Sequence, residues 1–160
     1  WDGKVKTPAL TVKASDGKTI PATYYTVKKS SGRKNVGKYA YKVVFKGNYS
    51  GTKSLSFIIN PKGATQTKPA ALAKGFTAKW KKVSTRMSSS RITGYQVRYS
   101  MRSNMASSKI KTIPGYRKTS IKITKLKPKK KYYIQVRTYK TVNKVKYYST
   151  WSARKTVITK

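Results

Sequence analysis

Short stretches of alternating apolar and polar residues, each broken after a few positions by turn formers, run almost the length of this chain. That pattern limits it to folds built from strands. Tyr39-Ala40-Tyr41-Lys42-Val43-Val44-Phe45, Leu55-Ser56-Phe57-Ile58-Ile59 and Phe76-Thr77-Ala78-Lys79-Trp80 are the longer runs. Lys4-Val5-Lys6 and Leu10-Thr11-Val12-Lys13 are shorter ones. No stretch keeps a 3.6-residue apolar period. Strands this short with turns this frequent close into sandwiches or barrels. The expected fold class is therefore all-β, as two tandem small β-sandwich modules.

The boundary is expected near Asn60-Pro61-Lys62-Gly63, where a proline ends a strand because it has no N–H for a central ladder. The polar run that follows suits a connection between domains. This gives a first module over residues 1–61, a linker over 62–66 and a second module over 67–160.

The residue inventory narrows the chemistry. There is no His, Cys or Glu, and the only acidic side chains are Asp2 and Asp16. General acid–base catalysis leans on His or paired carboxylates. Both aspartates precede glycine, in pairs that read as turns. Zinc lacks its nitrogen and sulfur ligands, and two carboxylates do not build an ordinary calcium site. A Ser–Lys nucleophile remains chemically open, but no G-x-S-x-G or phosphate-loop motif supports one. The expectation is a chain that is not an enzyme and carries no cofactor and no metal. No 18-residue apolar run is present, so no membrane-spanning helix is expected. The opening at Trp1 shows no leader pattern and reads as a processed end. The lack of cysteine fits an extracellular protein of cells that do not rely on disulfides.

Charge has a sign without a counterweight. Thirty-nine Lys and Arg face 2 acidic residues, for a net charge of +37. Past residue 61 lie 27 of those 39 basic residues and no acidic one. Surfaces ordinarily mix signs, so here the counterions come from outside the chain, which favours anionic polymers as partners. The densest run is Lys125 to Lys131, in which Lys125, Lys127, Lys129, Lys130 and Lys131 flank the Pro128 bend. These five are the candidate polyanion-binding residues, weighed evenly against a plain solvated loop. Tyrosines between lysines (Tyr116, Tyr133, Tyr147 and Tyr148 among them) offer faces for sugar rings or bases, with packing the stronger reading. No nucleic-acid-binding signature accompanies them, so nucleic acid is a partner by charge only.

In the second module Phe76, Ala78 and Trp80 share one strand face, as do Tyr95, Val97 and Tyr99 on another strand. Leu126-Lys127-Pro128-Lys129-Lys130-Lys131-Tyr132, followed by alternating Ile134 and Val136, matches a tyrosine corner, in which the Tyr hydroxyl bonds to upstream backbone. Together with Gly94-Tyr95-Gln96-Val97-Arg98-Tyr99-Ser100 and Tyr148-Ser149-Thr150-Trp151-Ser152, these pieces resemble bacterial fibronectin type III domains. The resemblance implies a spacer or adhesive module. Trp80, Leu126, Tyr132, Arg137 and Trp151 become structural residues, with Trp151 stacked on Arg137 and Arg98. Where the family pattern has Asn-Gly at a hairpin tip this chain has Asn143-Lys144, which predicts a remodelled turn.

The first module more loosely resembles bacterial immunoglobulin-like (YDG/MBG-type) repeats. The matching pieces are Trp1-Asp2-Gly3, Asn35-Val36-Gly37-Lys38-Tyr39 and Phe45-Lys46-Gly47-Asn48-Tyr49-Ser50-Gly51-Thr52. Asn48-Tyr49-Ser50 also fits a glycosylation sequon but reads as turn chemistry. A domain of about 60 residues buries only roughly 60% of its unfolded surface, so this module is expected to have residues upstream of Trp1 or to lean on the second.

The expected function is a non-catalytic extracellular segment, secreted or at the cell surface of Gram-positive bacteria. It attaches by charge to wall teichoic acid or acidic glycans. The alternatives are a freely secreted fibronectin type III polypeptide acting on a host surface receptor, or an inert stalk displaying an upstream domain. No Leu-Pro-x-Thr-Gly sorting motif is present.

Overall fold

Gly37–Phe45 (β2) sorts its side chains by the two-residue period of an extended strand. Tyr41 and Val43 are buried, while Lys38, Ala40 and Lys42 are exposed. β2 pairs antiparallel with Tyr25–Lys29 (β1) on one side and Thr52–Ile59 (β3) on the other, giving one three-stranded sheet in the order β1-β2-β3. Its covered face packs Tyr41 against Phe57, with ring centroids 5.4 Å apart, beside the buried Ile20, Val36 and Ile59. The computed structural model describes residues 1–160, which divide into two units, Trp1–Ile59 and Asn60–Lys160.

The first unit departs from expectation in two ways. It contains a single sheet and no facing one, so it is not a two-sheet sandwich. The stretches 4–6 and 10–13 are not strands; only an isolated bridge, Lys13 to Thr19, forms there. Pro8, Pro21 and the turns at Asp2-Gly3 and Asp16-Gly17 interrupt the segment too often for a ladder to propagate. A 3-10 turn at Ala22–Tyr24 leads into β1.

The second unit holds two sheets. One contains Ala70–Leu72 (β4), Gly75–Lys79 (β5) and Ser120–Ile123 (β8), in the order β4-β5-β8. The other centres on Gly94–Ser100 (β6) and Lys131–Val142 (β9), flanked by Lys109–Pro114 (β7) and by Val145–Tyr148 (β10). Lys155–Ile158 (β11) pairs with the first residues of β9, while β10 pairs with its last. Phe76, Ala78, Tyr95, Val97, Ile134 and Val136, fully or almost fully buried, fill the core between the sheets. Trp80 is buried too, 5.2 Å from the Tyr95 ring, and its indole N–H donates to the Lys118 carbonyl at 2.9 Å. Gly94 permits the β6–β7 approach, since a Cβ there would meet the Ile113 carbonyl oxygen at 2.3 Å.

Residues 62–66, expected as a linker, are built into this unit. The Thr138 hydroxyl donates to the Lys62 carbonyl, the Lys81 N–H donates to the Thr65 carbonyl, and Gln66 bridges Trp80. The run is polar because its side chains and backbone satisfy neighbouring strands, not because it is free. The Asn143-Lys144 turn keeps positive φ at both positions, 48° and 64°, the type I′ geometry of a two-residue hairpin. The strand twist dictates that turn, and Lys144 adopts it despite its Cβ. No helix is long and apolar enough to cross a membrane.

Candidate functional site

The predicted lysine loop joins β8 to β9 by a backbone that is tied down at several points. The Leu126 N–H donates to the Lys74 carbonyl at 2.9 Å. The Lys127 N–H donates to the Tyr132 hydroxyl at 3.3 Å, and the Tyr132 ring is buried beside Phe76 and Tyr99. Thr159, which no local pattern singles out, is the main clamp. Its hydroxyl donates to the Lys127 carbonyl at 2.7 Å and accepts from the Lys130 N–H at 3.1 Å. Its own backbone N–H donates to the Lys130 carbonyl, and its carbonyl accepts from the Lys129 N–H. Lys125 and Lys129 sit at φ of 58° and 51°, the bends that let so short a loop turn.

All five lysines are exposed. Lys125 and Lys127 line a cleft of about 270 Å³ together with Lys109 from β7. Lys131 instead places its ammonium 5.5 Å from the centre of the Tyr133 ring. Of the five, Lys125 and Lys127 thus line the cleft, joined by Lys109, which only the fold brings near.

Across the outer face of the larger sheet a second arrangement appears. Arg98 lies opposite Gln135 and Arg137 opposite Gln96 in the β6–β9 register. The Arg98 guanidinium donates twice to Gln135 Oε1, at 3.0 and 2.6 Å, and Arg137 donates twice to Gln96 Oε1, at 2.9 and 2.7 Å. The Trp151 ring lies 4.5 Å from the Arg98 guanidinium carbon and 4.3 Å from that of Arg137, with Tyr148 4.1 Å from Arg137. Burial pushes the guanidinium pKa of both arginines below its ordinary value, and for Arg137 the charge of Arg98 adds in the same direction. The break between β10 and β11 that carries Trp151 is held by two serines. Ser149 Oγ accepts the Thr138 N–H and Ser152 Oγ accepts the Val136 N–H, each at 3.0 Å.

Elsewhere the aromatic faces are taken by the chain's own cations. Tyr116 meets Arg91 at 4.8 Å, and Tyr139 meets Lys146 at 5.8 Å.

Lys140 is buried with no acidic partner. Its ammonium donates to Ser90 O, Ser90 Oγ and Arg91 O at 3.0, 2.5 and 2.9 Å, pinning the loop before β6. These three acceptors surround the Lys140 Nζ, and burial pushes its pKa below the ordinary lysine value, so the Ser–Lys pair ties this loop to β9. Asp2 Oδ1 accepts the Lys4 N–H and Asp16 Oδ1 accepts the Lys18 N–H, both at 3.0 Å, as aspartates do in turns.

The second unit's two sheets and tyrosine corner have counterparts among known proteins. The fibronectin type III domain model matches residues 61–154. The FN1-FN3 domains of chicken CNTN1 align at a TM-score of 0.52 and 23% identity, over 78% of this chain and 43% of that one, a likeness of fold. A β-1,2-glucanase from Parabacteroides distasonis aligns at a TM-score of 0.45 and 12% identity, over 76% of this chain and 18% of that one. The chain thus spans less than half of either protein, and no curated protein matches it. With more than half of its residues matched, the chain belongs to the fibronectin type III family.

Proposed function

We propose that this chain is a non-catalytic extracellular segment that attaches by charge to anionic polymers, such as wall teichoic acid or acidic glycans. The observation that carries the reading is the second unit's charge: every charged side chain from Asn60 to Lys160 is basic. Coulomb attraction between exposed lysines and a polyanion falls off within about 8–10 Å at physiological salt, so binding is multivalent and local. Fibronectin type III domains commonly serve as binding or spacer modules of extracellular proteins, in keeping with a secreted or surface location. The lack of His, Cys and Glu supports the non-catalytic part, since acid–base chemistry is left without its usual groups. The first unit is proposed as a relative of bacterial immunoglobulin-like repeats on the strength of its Trp1-Asp2-Gly3, Asn35–Tyr39 and Phe45–Thr52 motifs, with one three-stranded sheet in place of a full sandwich.

Co-sedimentation of the full chain with purified Gram-positive walls tests the reading. Retention on native walls and its loss after removal of teichoic acid is the expected result. Equal retention on both, or retention on neutral dextran as strong as on heparin, would refute it.

A further inference from the structure

Three exposed lysines with no acidic neighbour in their unit converge on the cleft beside the tyrosine corner, and its other walls are not those of a plain ionic patch. Lys109 approaches from β7, and Lys125 and Lys127 from the loop before β9. Met101, half exposed, and Leu126 supply an aliphatic surface, and Ser107 supplies a hydroxyl. The buried rings of Tyr99 and Tyr132 close the inner wall.

The combination selects a ligand class. A bare phosphate chain would satisfy the ammonium groups and leave the aliphatic wall in contact with nothing. A nucleotide base seeks an open aromatic face, and here Tyr99 and Tyr132 are each only 6% exposed, their rings turned toward Phe76 and one another. A sugar ring carries aliphatic C–H groups, hydroxyls and, when acidic, a sulfate or carboxylate on one small body. A volume of about 270 Å³ sits at the small end of ligand pockets, the size of one ring with its substituents. We propose that the cleft is a discrete site for a sulfated or carboxylated sugar residue of an acidic glycan. Lys109, Lys125 and Lys127 hold the anionic group, and Met101 and Leu126 cover the ring. This deepens the reading of the chain as a polyanion binder and rests on it.

The test titrates the full chain with a sulfated heparin disaccharide, followed by amide chemical shifts and calorimetry. The lysines are exposed, so Lys109→Gln, Lys125→Gln and Lys127→Gln together are expected to leave the fold intact, checked by thermal unfolding. Disaccharide affinity should then fall at least tenfold. A triple variant of equal charge loss, Lys111→Gln, Lys144→Gln and Lys155→Gln, should fall no more than twofold. Saturable shifts should centre on Met101, Ser107 and Leu126. Met101→Ser should weaken the disaccharide and leave tripolyphosphate binding unchanged. Equal losses in the two triple variants, or tripolyphosphate binding at these residues as tightly as the disaccharide, would overturn the site. Heparin-column retention separates the two levels. Retention with no cleft shifts removes the sugar site alone, whereas a protein that passes through the column at physiological salt removes the general reading with it.

Discussion

Arg137→Met should unsettle the second unit more than any other single change on its outer face. The substitution keeps much of the stem packing and deletes the guanidinium that lies between Tyr148 and Trp151, 4.1 and 4.3 Å from it. Each cation–π contact is worth about 0.5–1 kcal/mol. The paired donation to Gln96 from a charged group adds about 1.5–3 kcal/mol, and Gln96 is itself buried, so its freed oxygen is poorly rewetted. Allowing for the partial exposure of Arg137, the loss is about 3 kcal/mol. For a unit of this size that lowers the melting temperature by about 15 °C. Urea and thermal melts read by tryptophan fluorescence measure it, since Trp80 and Trp151 both belong to this unit. Trp151→Leu in the wild-type and Arg137→Met backgrounds isolates the stack, with an expected coupling of about 0.5–1 kcal/mol. A loss under about 1 kcal/mol, or no coupling, would show that the stack is incidental to stability.

Tyr132→Phe should cost about 1 kcal/mol in urea melts, the net worth of the hydrogen bond from the Lys127 N–H. Thr159→Val, which keeps shape and removes the clamp, should cost about 2 kcal/mol and speed amide exchange at Lys130. Lys144→Gly should stabilise the hairpin by up to about 1 kcal/mol, because glycine relieves the positive φ at that position. The hydrogen bond from Lys6, helped by the Lys4 N–H, lowers the Asp2 pKa from 3.8 to about 2. A depressed carboxylate favours the folded form above its unfolded pKa and loses that as pH falls through the folded one. The turn at Asp2 should therefore loosen only between about pH 4 and 2, and Lys6→Gln should move the midpoint seen by NMR back toward 3.8.

The strand pattern was readable where alternation is decided by burial on one face, as in Gly37–Phe45, and Gly94–Ser100 was readable although it is covered on both faces save at Arg98. It misled at residues 4–13, where alternation is present but prolines and turns leave no partner strand. The linker expectation at 62–66 failed for a related reason. Polarity marks residues whose hydrogen bonds are satisfied by anything, and here Thr138, Lys81 and Ser152 satisfy them instead of water. Of the cleft, Lys125 and Lys127 stood out as part of a run, but Lys109 and Met101 reach it only through the β6–β7 connection. Thr159 and Lys140 act through contacts 29 to 50 residues away in sequence, which local pattern does not encode.

The salt dependence of polyanion binding bears most directly on the account. The chain titrated with a random-sequence DNA duplex between 50 and 300 mM NaCl gives a log–log slope of about −0.9 per phosphate neutralised. Attachment by charge through several lysines at once predicts a slope of about −3.6 or steeper, corresponding to four or more phosphates. A slope shallower than about −1 would mean that at most one ion pair forms, and it would contradict the claim that this chain holds anionic polymers by charge.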